Sequence, residues 1–483
     1  SNAFLGVINI TTKSASTFSL ASGSHNSRSV SLQNQTTKDD LEVSFFIKDE
    51  VDDGESLTVF DSNNNIFTDS RDQSDNRELY FSASKGNFSA LGRWIRRNSD
   101  GYYQSNTFSD DNVKEVDTYY VDFGYTANVS ETLTLRGRLS SDVRSSMLQS
   151  QPTATTTQGT LLKEIENGFN LLLKSEDKLN TRWLVGYQYR HSDLVTSNGT
   201  LTTGPSSSVF SLSDEDHREI QALFGQYQSY FSEQTQYIMG ARMDNFSDVG
   251  SHFSPRLGII HFLNRNNTVK LLYGEAFRAP TRLEIEVTGA SVVGNRDLDP
   301  EISESTELIW AHTKSNYLLT ATLFNSQIKD SIILTTVVAP QLTFSNSDNR
   351  SIAGVELDLQ YDFVANWKVR LAATHNFDMF EKDHAASDTS LTASLSYFTR
   401  SWSTNISGNY QSEKRGRSNT KKFGGFTKFD TNLIYRPVND LDIYVKVLNI
   451  FDKEYYTPGI SATNFDGVLN RGRTGEVGFR WRY

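Results

Sequence analysis

Arg242, Arg256, Lys270 and Arg278 fall close together in the chain and are its best candidates for binding chemistry. A guanidinium presents a planar fork that fits the paired oxygens of a carboxylate or catecholate, and an ammonium adds a compact charge. Lined up on one wall, these four cations make a basic path for an anionic ligand. Arg136, Arg138, Arg190, Arg480 and Arg482 have the spacing that puts them on the same kind of face. The plainer expectation is that carboxylates neutralise all of them, with Glu356, Asp358 and Glu476 as partners. Other chemistries find less support. The chain has no cysteine, so disulfides and thiolate metal sites are excluded. Its 8 histidines are scattered, with no HExxH and no pair at ligand spacing. His217 follows Asp214, Glu215 and Asp216, a grouping that suggests acid–base chemistry but reads more plainly as a solvated charge run. No Ser/His or Asp/His spacing supports a hydrolytic site, so no catalytic residue is expected. Asp49, Asp52, Asp53, Asp61, Asp69 and Asp72 crowd one polar segment, and Asp100, Asp110 and Asp111 the next. They offer oxygens to calcium, which needs about 6 to 8 of them, yet their spacing matches no defined calcium loop. Solvated acidic loops are expected there.

The elements that would hold these residues are strands. From Gly475 to Tyr483 the chain alternates without interruption: Val477, Phe479, Trp481 and Tyr483 point one way, Glu476, Gly478, Arg480 and Arg482 the other. One side is oily and the other wet. Sliding the register by one residue would put both arginines into the oily phase, at about 2 to 4 kcal/mol each if that phase is the middle of a bilayer. The same pattern recurs at Val355 to Asp362, where Glu356, Asp358, Gln360 and Asp362 share a face, at Tyr237 to Asp244, and at Trp183 to Arg190. Four polar groups on one face cannot all be buried unpaired, so that face meets water.

Ten short polar turns punctuate the strands, at 36–41, 85–88, 128–133, 175–180, 231–236, 263–268, 313–317, 364–367, 398–402 and 437–442. Longer connectors rich in Ser, Asn, Asp and Gly alternate with them, including 49–75, 98–113, 192–213 and 279–303. Strands counted this way number 22, and short ends on one rim with long ends on the other define an all-β, 22-stranded antiparallel transmembrane β-barrel. The expected division is 14–483 as barrel, with 11 extracellular loops and 10 periplasmic turns, after a separate segment 1–13. No run of about 20 apolar residues is present, which bears on helices and not on strands that hide their apolar half by alternation. Aromatics at 12% with only 8 prolines suit long regular strands. A net charge of −11 argues against general nucleic-acid binding. Trp94, Tyr119, Tyr120, Tyr187, Trp310, Trp402, Tyr444 and Trp481 lie near strand ends, where rings suit membrane interfaces or stack on a ligand.

Five segments carry a family resemblance. They are Leu272 to Pro280 (LYGEAFRAP), Gly294 to Glu301 (GNRDLDPE) with Glu307, Gly354 to Glu356, Val447 to Tyr455 (VLNIFDKEY), and Gly472 and Arg473 before the terminal strand. In order and spacing they resemble the TonB-dependent outer-membrane receptors along the whole chain. The motif positions are Phe277, Arg278, Ala279, Pro280, Asn295, Leu298, Pro300, Glu301, Glu307, Gly354, Glu356 and Asn449. Asn2 to Lys13 resembles the last strand of that family's plug domain, and Ser1 to Ala3 reads equally as an expression tag. Most of the plug, and with it the TonB-contacting segment, is then missing from this chain, and any export signal is expected upstream.

The resemblance implies a bacterial outer-membrane receptor and transporter for TonB-energised uptake of a scarce, bulky nutrient. A ferric siderophore is favoured, with cobalamin or another organic nutrient as the alternative. It implies no cofactor, a monomer, and the barrel's pairing partners partly on the plug. The segment 279–303 lacks the histidine that haem receptors usually carry there, which counts against haem. Lys414, Arg415, Arg417, Lys421 and Lys422 gather where lipopolysaccharide phosphates or ligand would be met, lipopolysaccharide first. A passive porin-like channel is the reading from another class.

Overall fold

The structure, a computed structural model, describes residues 15–60, 66–100, 112–153, 155–176, 181–211, 217–288, 292–338, 341–347, 349–379, 386–415, 422–458 and 468–483. Segment 1–13 lies outside the described residues, as do Asp61, Asp110, Asp111, Asp214, Glu215, Asp216, Arg417 and Lys421.

Twenty-two strands close into one antiparallel barrel. In chain order they are β1 (Thr17–Gly23), β2 (Arg28–Lys38), β3 (Leu41–Asp52), β4 (Ser74–Lys85), β5 (Phe88–Asp100), β6 (Val113–Asn128), β7 (Leu133–Thr153) and β8 (Thr156–Glu176). Next come β9 (Arg182–Thr203), β10 (His217–Ser232), β11 (Thr235–Phe246), β12 (Gly250–Phe262), β13 (Asn267–Arg278), β14 (Glu301–Lys314) and β15 (Tyr317–Lys329). The last are β16 (Arg350–Val364), β17 (Trp367–Met379), β18 (Thr389–Phe398), β19 (Trp402–Gln411), β20 (Phe426–Val438), β21 (Leu441–Leu448) and β22 (Thr474–Arg482). β22 pairs with β1, Phe479 opposite Leu20 and Trp481 opposite Phe18, so no edge is left open.

The faces sort as the alternation requires. Val477, Leu357, Leu271, Leu257 and Leu223 stand exposed on the outside, where lipid covers them. Ring contacts run along the short-turn rim through Trp310, His312, Tyr317, Tyr361, Phe363, Trp367 and Tyr397, with centroids 4.7 to 6.3 Å apart. That is the aromatic girdle of one membrane interface. Tight turns on this rim use left-handed residues, Asp39 (φ 55°), Gly86 (φ 55°) and Asn366 (φ 72°), whose backbone twist suits a two-residue hairpin.

The polar connectors are more ordered than their composition suggests. Residues 192–213, expected as a loop, are mostly strand: β9 runs on to Thr203 and Ser206–Ser211 pairs back on it. Continuing the ladder satisfies backbone groups, and the threonines there suit a strand. Among the described residues of 279–303 the structure has one helical turn, α1 (Arg282–Glu286), and a short strand, Val292–Val293, ahead of the start of β14. Its two residues pair with Leu342 and Thr343 of the loop between β15 and β16.

Candidate functional site

The lumen wall of β11, β12 and β13 carries three of the four candidate cations. Arg242 is held: its guanidinium donates to both carboxylate oxygens of Asp244 at 2.7 to 3.0 Å and to Gln188 Oε1 at 2.9 Å, over the Phe224 ring at 5.3 Å. Asp244 is wholly buried beneath it. Arg256 is exposed, flanked in the ladder by Gly240 and Gly274, which have no side chains to cover it. Lys270 is half-buried opposite Ile260 and Ile309. Among the described residues neither Arg256 nor Lys270 has an ion-pair partner.

The fourth cation organises the mouth. The β12–β13 ladder stops at Arg256 and Gly274, while β13 stays paired to β14 as far as Arg278 and Glu301. Freed from β12, the end of β13 leans across the wet face of its neighbours. Phe277 is buried against Phe246 at 5.7 Å and His252 at 4.3 Å, with Ile220, Val249 and Ala279 around it. Pro280 is fully buried.

Arg278 then donates to Glu301 Oε2 at 2.5 Å and to both oxygens of Glu284 at 2.9 and 3.2 Å. Glu284 closes a capping box with Thr281 at the start of α1. Glu301 also accepts the Ile332 amide at 2.7 Å. One guanidinium thus ties β14, α1 and, through Glu301, the next loop. Arg218 adds a second tie, reaching the Pro280 carbonyl at 2.9 Å and Asp248, and Arg282 bonds Ser192 of β9.

The remaining motif positions are spread over the mouth and the lumen wall. Asn295 donates to the Phe344 carbonyl at 3.0 Å, and Leu298 is buried near Pro300. Glu307 faces the lumen opposite Leu272. Gly354 makes room for the Phe324 ring, since a Cβ there would lie 2.7 Å from it. Glu356 is exposed to the lumen. Asn449 (φ 50°) accepts the Lys453 amide and donates to its carbonyl, at 2.8 and 2.9 Å, which turns the chain out of β21.

The carboxylates that meet the lumen arginines differ from those expected. Asp122 takes Arg138 at 2.8 Å, Glu166 takes Arg190 at 3.5 Å, and Asp442 takes Arg482 and Arg436. Asp358 pairs with Arg370 at 3.1 Å. Arg136 donates to Thr126 at 3.4 Å and Arg480 is exposed. The Arg242–Asp244 pair was readable as two same-face residues on one strand; the others need the register.

In the acidic loops Asp49 pairs with Arg77 at 3.0 Å and Asp53 accepts from Asn26 at 2.9 Å. Asp52 and Asp72 grip Arg471 from the β21–β22 loop at 2.8 and 2.6 Å. Burial alone would weaken the Arg471 cation, yet its bonds to Asp72 and Asp52 more than offset this and hold its proton above the ordinary range. Among the described residues no group of three or more His, Asp or Glu side chains is arranged to hold a metal. His217 stacks on His191 at 5.9 Å. In the basic loop Lys422 pairs with Glu413 at 3.6 Å, and burial pushes the Lys414 ammonium down.

A closed barrel with a greasy outside, a wet bore and loops folded into its mouth defines an outer-membrane protein of large bore. Residues 51–450 match the family model described as TonB dependent receptor-like, beta-barrel, and the chain belongs to that family. It is 28% identical over 255 residues to the iron-regulated outer membrane virulence protein of Vibrio cholerae, which covers 46% of this chain and 39% of that protein. It is 25% identical over 291 residues to the ferric enterobactin receptor PirA of Pseudomonas aeruginosa, covering 52% and 39%. The matches thus span well under half the length of these curated relatives.

A solved structure of a mutant ferric enterobactin receptor PfeA from Pseudomonas aeruginosa, in complex with enterobactin, superposes with a TM-score of 0.78 at 15% identity. It covers 99% of this chain and 83% of that one. The closed form of the ferric-catecholate import receptor Fiu of Escherichia coli gives 0.76 at 14%, covering 98% and 82%. At such identity these likenesses speak for the fold. The chain is a bacterial outer-membrane protein, and its family and neighbours are transport receptors, not enzymes.

Proposed function

We propose that this barrel serves TonB-energised import of a ferric siderophore. The observation that carries the reading is the pair of uncompensated cations, Arg256 and Lys270, set on the lumen wall below a mouth organised by Arg278. A catecholate or carboxylate chelate of iron is anionic and too large for an ordinary diffusion pore, and a guanidinium with free donors suits its oxygens. The relatives named as iron-regulated, or as receptors for ferric enterobactin, favour iron over cobalamin. Contact with TonB belongs to the amino-terminal part of the receptor in this reading. The test is binding by the full-length receptor in detergent, measured by tryptophan quenching with ferric catecholate, ferric hydroxamate and cobalamin. Saturable binding of a ferric chelate that weakens with salt is expected; binding of cobalamin alone would overturn the assignment.

A further inference from the structure

We propose that the strand Ser206–Ser211, at the edge of a sheet standing above the barrel's mouth, takes an extended, uncharged strand of another cell-surface or secreted protein by edge-to-edge pairing. The inference does not depend on what the barrel imports.

The sheet is set apart by height and by composition. β7, β8 and β9 have 21, 21 and 22 residues. At a rise of about 3.4 Å per residue and a tilt of about 40°, β8 spans about 55 Å, roughly twice the apolar band of about 25 Å that such barrels present. Much of these strands therefore stands clear of the bilayer. Where they leave the wall, Lys163 pairs with Thr196 and Glu164 with Leu194, so Val195 is an extra residue, and such a bulge bends and twists the sheet above it. Beyond that point charge disappears. The stretches 145–162 and 194–213 contain no Asp, Glu, Lys or Arg, although 22% of the chain is charged.

The edge is open. Ser206–Ser211 pairs with 198–203 of β9 on one side, and among the described residues nothing pairs with the other. Residues 203–209 are all exposed, Val209 at 68%. Thr203 and Ser206 close a two-residue hairpin, so Ser206 and Ser208 engage β9 through their backbone groups, and Ser207 and Val209 turn theirs outward. Natural edges are blunted by charge, by proline within the strand or by a bulge. This strand has no charge and no proline, and its register with β9 runs without a shift. A row of free backbone donors and acceptors fits a strand that extends the ladder. A charged segment would meet no counter-charge there, so the partner strand is neutral. A second copy does not fit. Two receptors in one membrane both run this strand toward the bilayer, and a two-fold axis along the normal would set each N–H against its own equivalent, whereas a parallel ladder needs a stagger.

The full-length receptor in nanodiscs is titrated with a capped, fluorophore-tagged peptide of alternating threonine and valine, read by fluorescence anisotropy. Saturable binding that salt leaves unchanged is expected, and the same peptide N-methylated at every residue should not bind. Val209→Pro, which removes an outward N–H and leaves the ladder to β9 intact, lowers affinity about tenfold. Val209→Lys, which blunts the edge with a charge, does the same. Heat-modifiable migration reports whether each variant is folded. No binding, equal binding of the N-methylated peptide, or equal binding by both folded variants would overturn the proposal. So would a peptide-free receptor of doubled mass in native mass spectrometry that Val209→Pro returns to a single one, which marks a second copy as the occupant.

Discussion

Arg256 and Lys270 differ from the paired lumen cations in what surrounds them. Arg242, Arg138 and Arg482 each have a carboxylate within reach, so their charge is spent on the wall. Arg256 lies between two glycines and Lys270 between two isoleucines. Replacing both by glutamine should weaken binding of an anionic chelate by about 1 kcal/mol each, roughly fivefold, while leaving unfolding unchanged. Titration at low and high salt checks this. Arg278 should behave the other way. Arg278→Glu would put a third carboxylate beside Glu284 and Glu301 and release α1 from β14, at about 2 kcal/mol of local stability. Hydrogen exchange across 279–288 should rise while the order of ligand preference stays the same. A changed preference with normal exchange would contradict the structural role given to Arg278.

At the scale of elements, the strands were legible and the connectors were not. Val477, Phe479 and Trp481 declare their face by alternation, because a period of two cannot be mistaken over nine residues. Val477→Arg should therefore cost about 2 to 4 kcal/mol if it lies near the bilayer middle, and lumen-facing Arg480→Ala within about 0.5. Urea unfolding in vesicles compares them. The segment after Arg278 reads in the sequence as a polar connector that carries a motif, with no sign of how it folds. Its fold depends on Glu284 capping its own helix, on Asn295 finding a carbonyl in another loop, and on Gly294 lying against the helix backbone. A Cβ on Gly294 would stand 2.4 Å from the Ile285 carbonyl, which cannot move aside. Gly294→Ala should loosen 282–296 by about 1 to 3 kcal/mol, again visible by hydrogen exchange.

At the scale of the molecule, closure brings together residues that the chain holds far apart. Arg471 spans the seam, with Asp52 and Asp72 on one side and the β21–β22 loop on the other, and Glu55 accepts the Gly472 amide at 2.8 Å. Arg471→Ala should free both loops, raising proteolysis near 52–57 and 468–473 while the transmembrane wall stays intact. Arg471→Lys should restore only part, because an ammonium lacks the fork that serves two carboxylates at once. The sequence by itself determined the barrel, its strand number, its two faces and its family, since these follow from alternation, turn spacing and short motifs local to each segment. Only the tertiary structure decided which carboxylate answers which arginine, how the end of β13 leans inward, and which loops meet where the barrel closes. Those are matters of register and closure, and pairings between distant strands leave no period in the chain from which to read them.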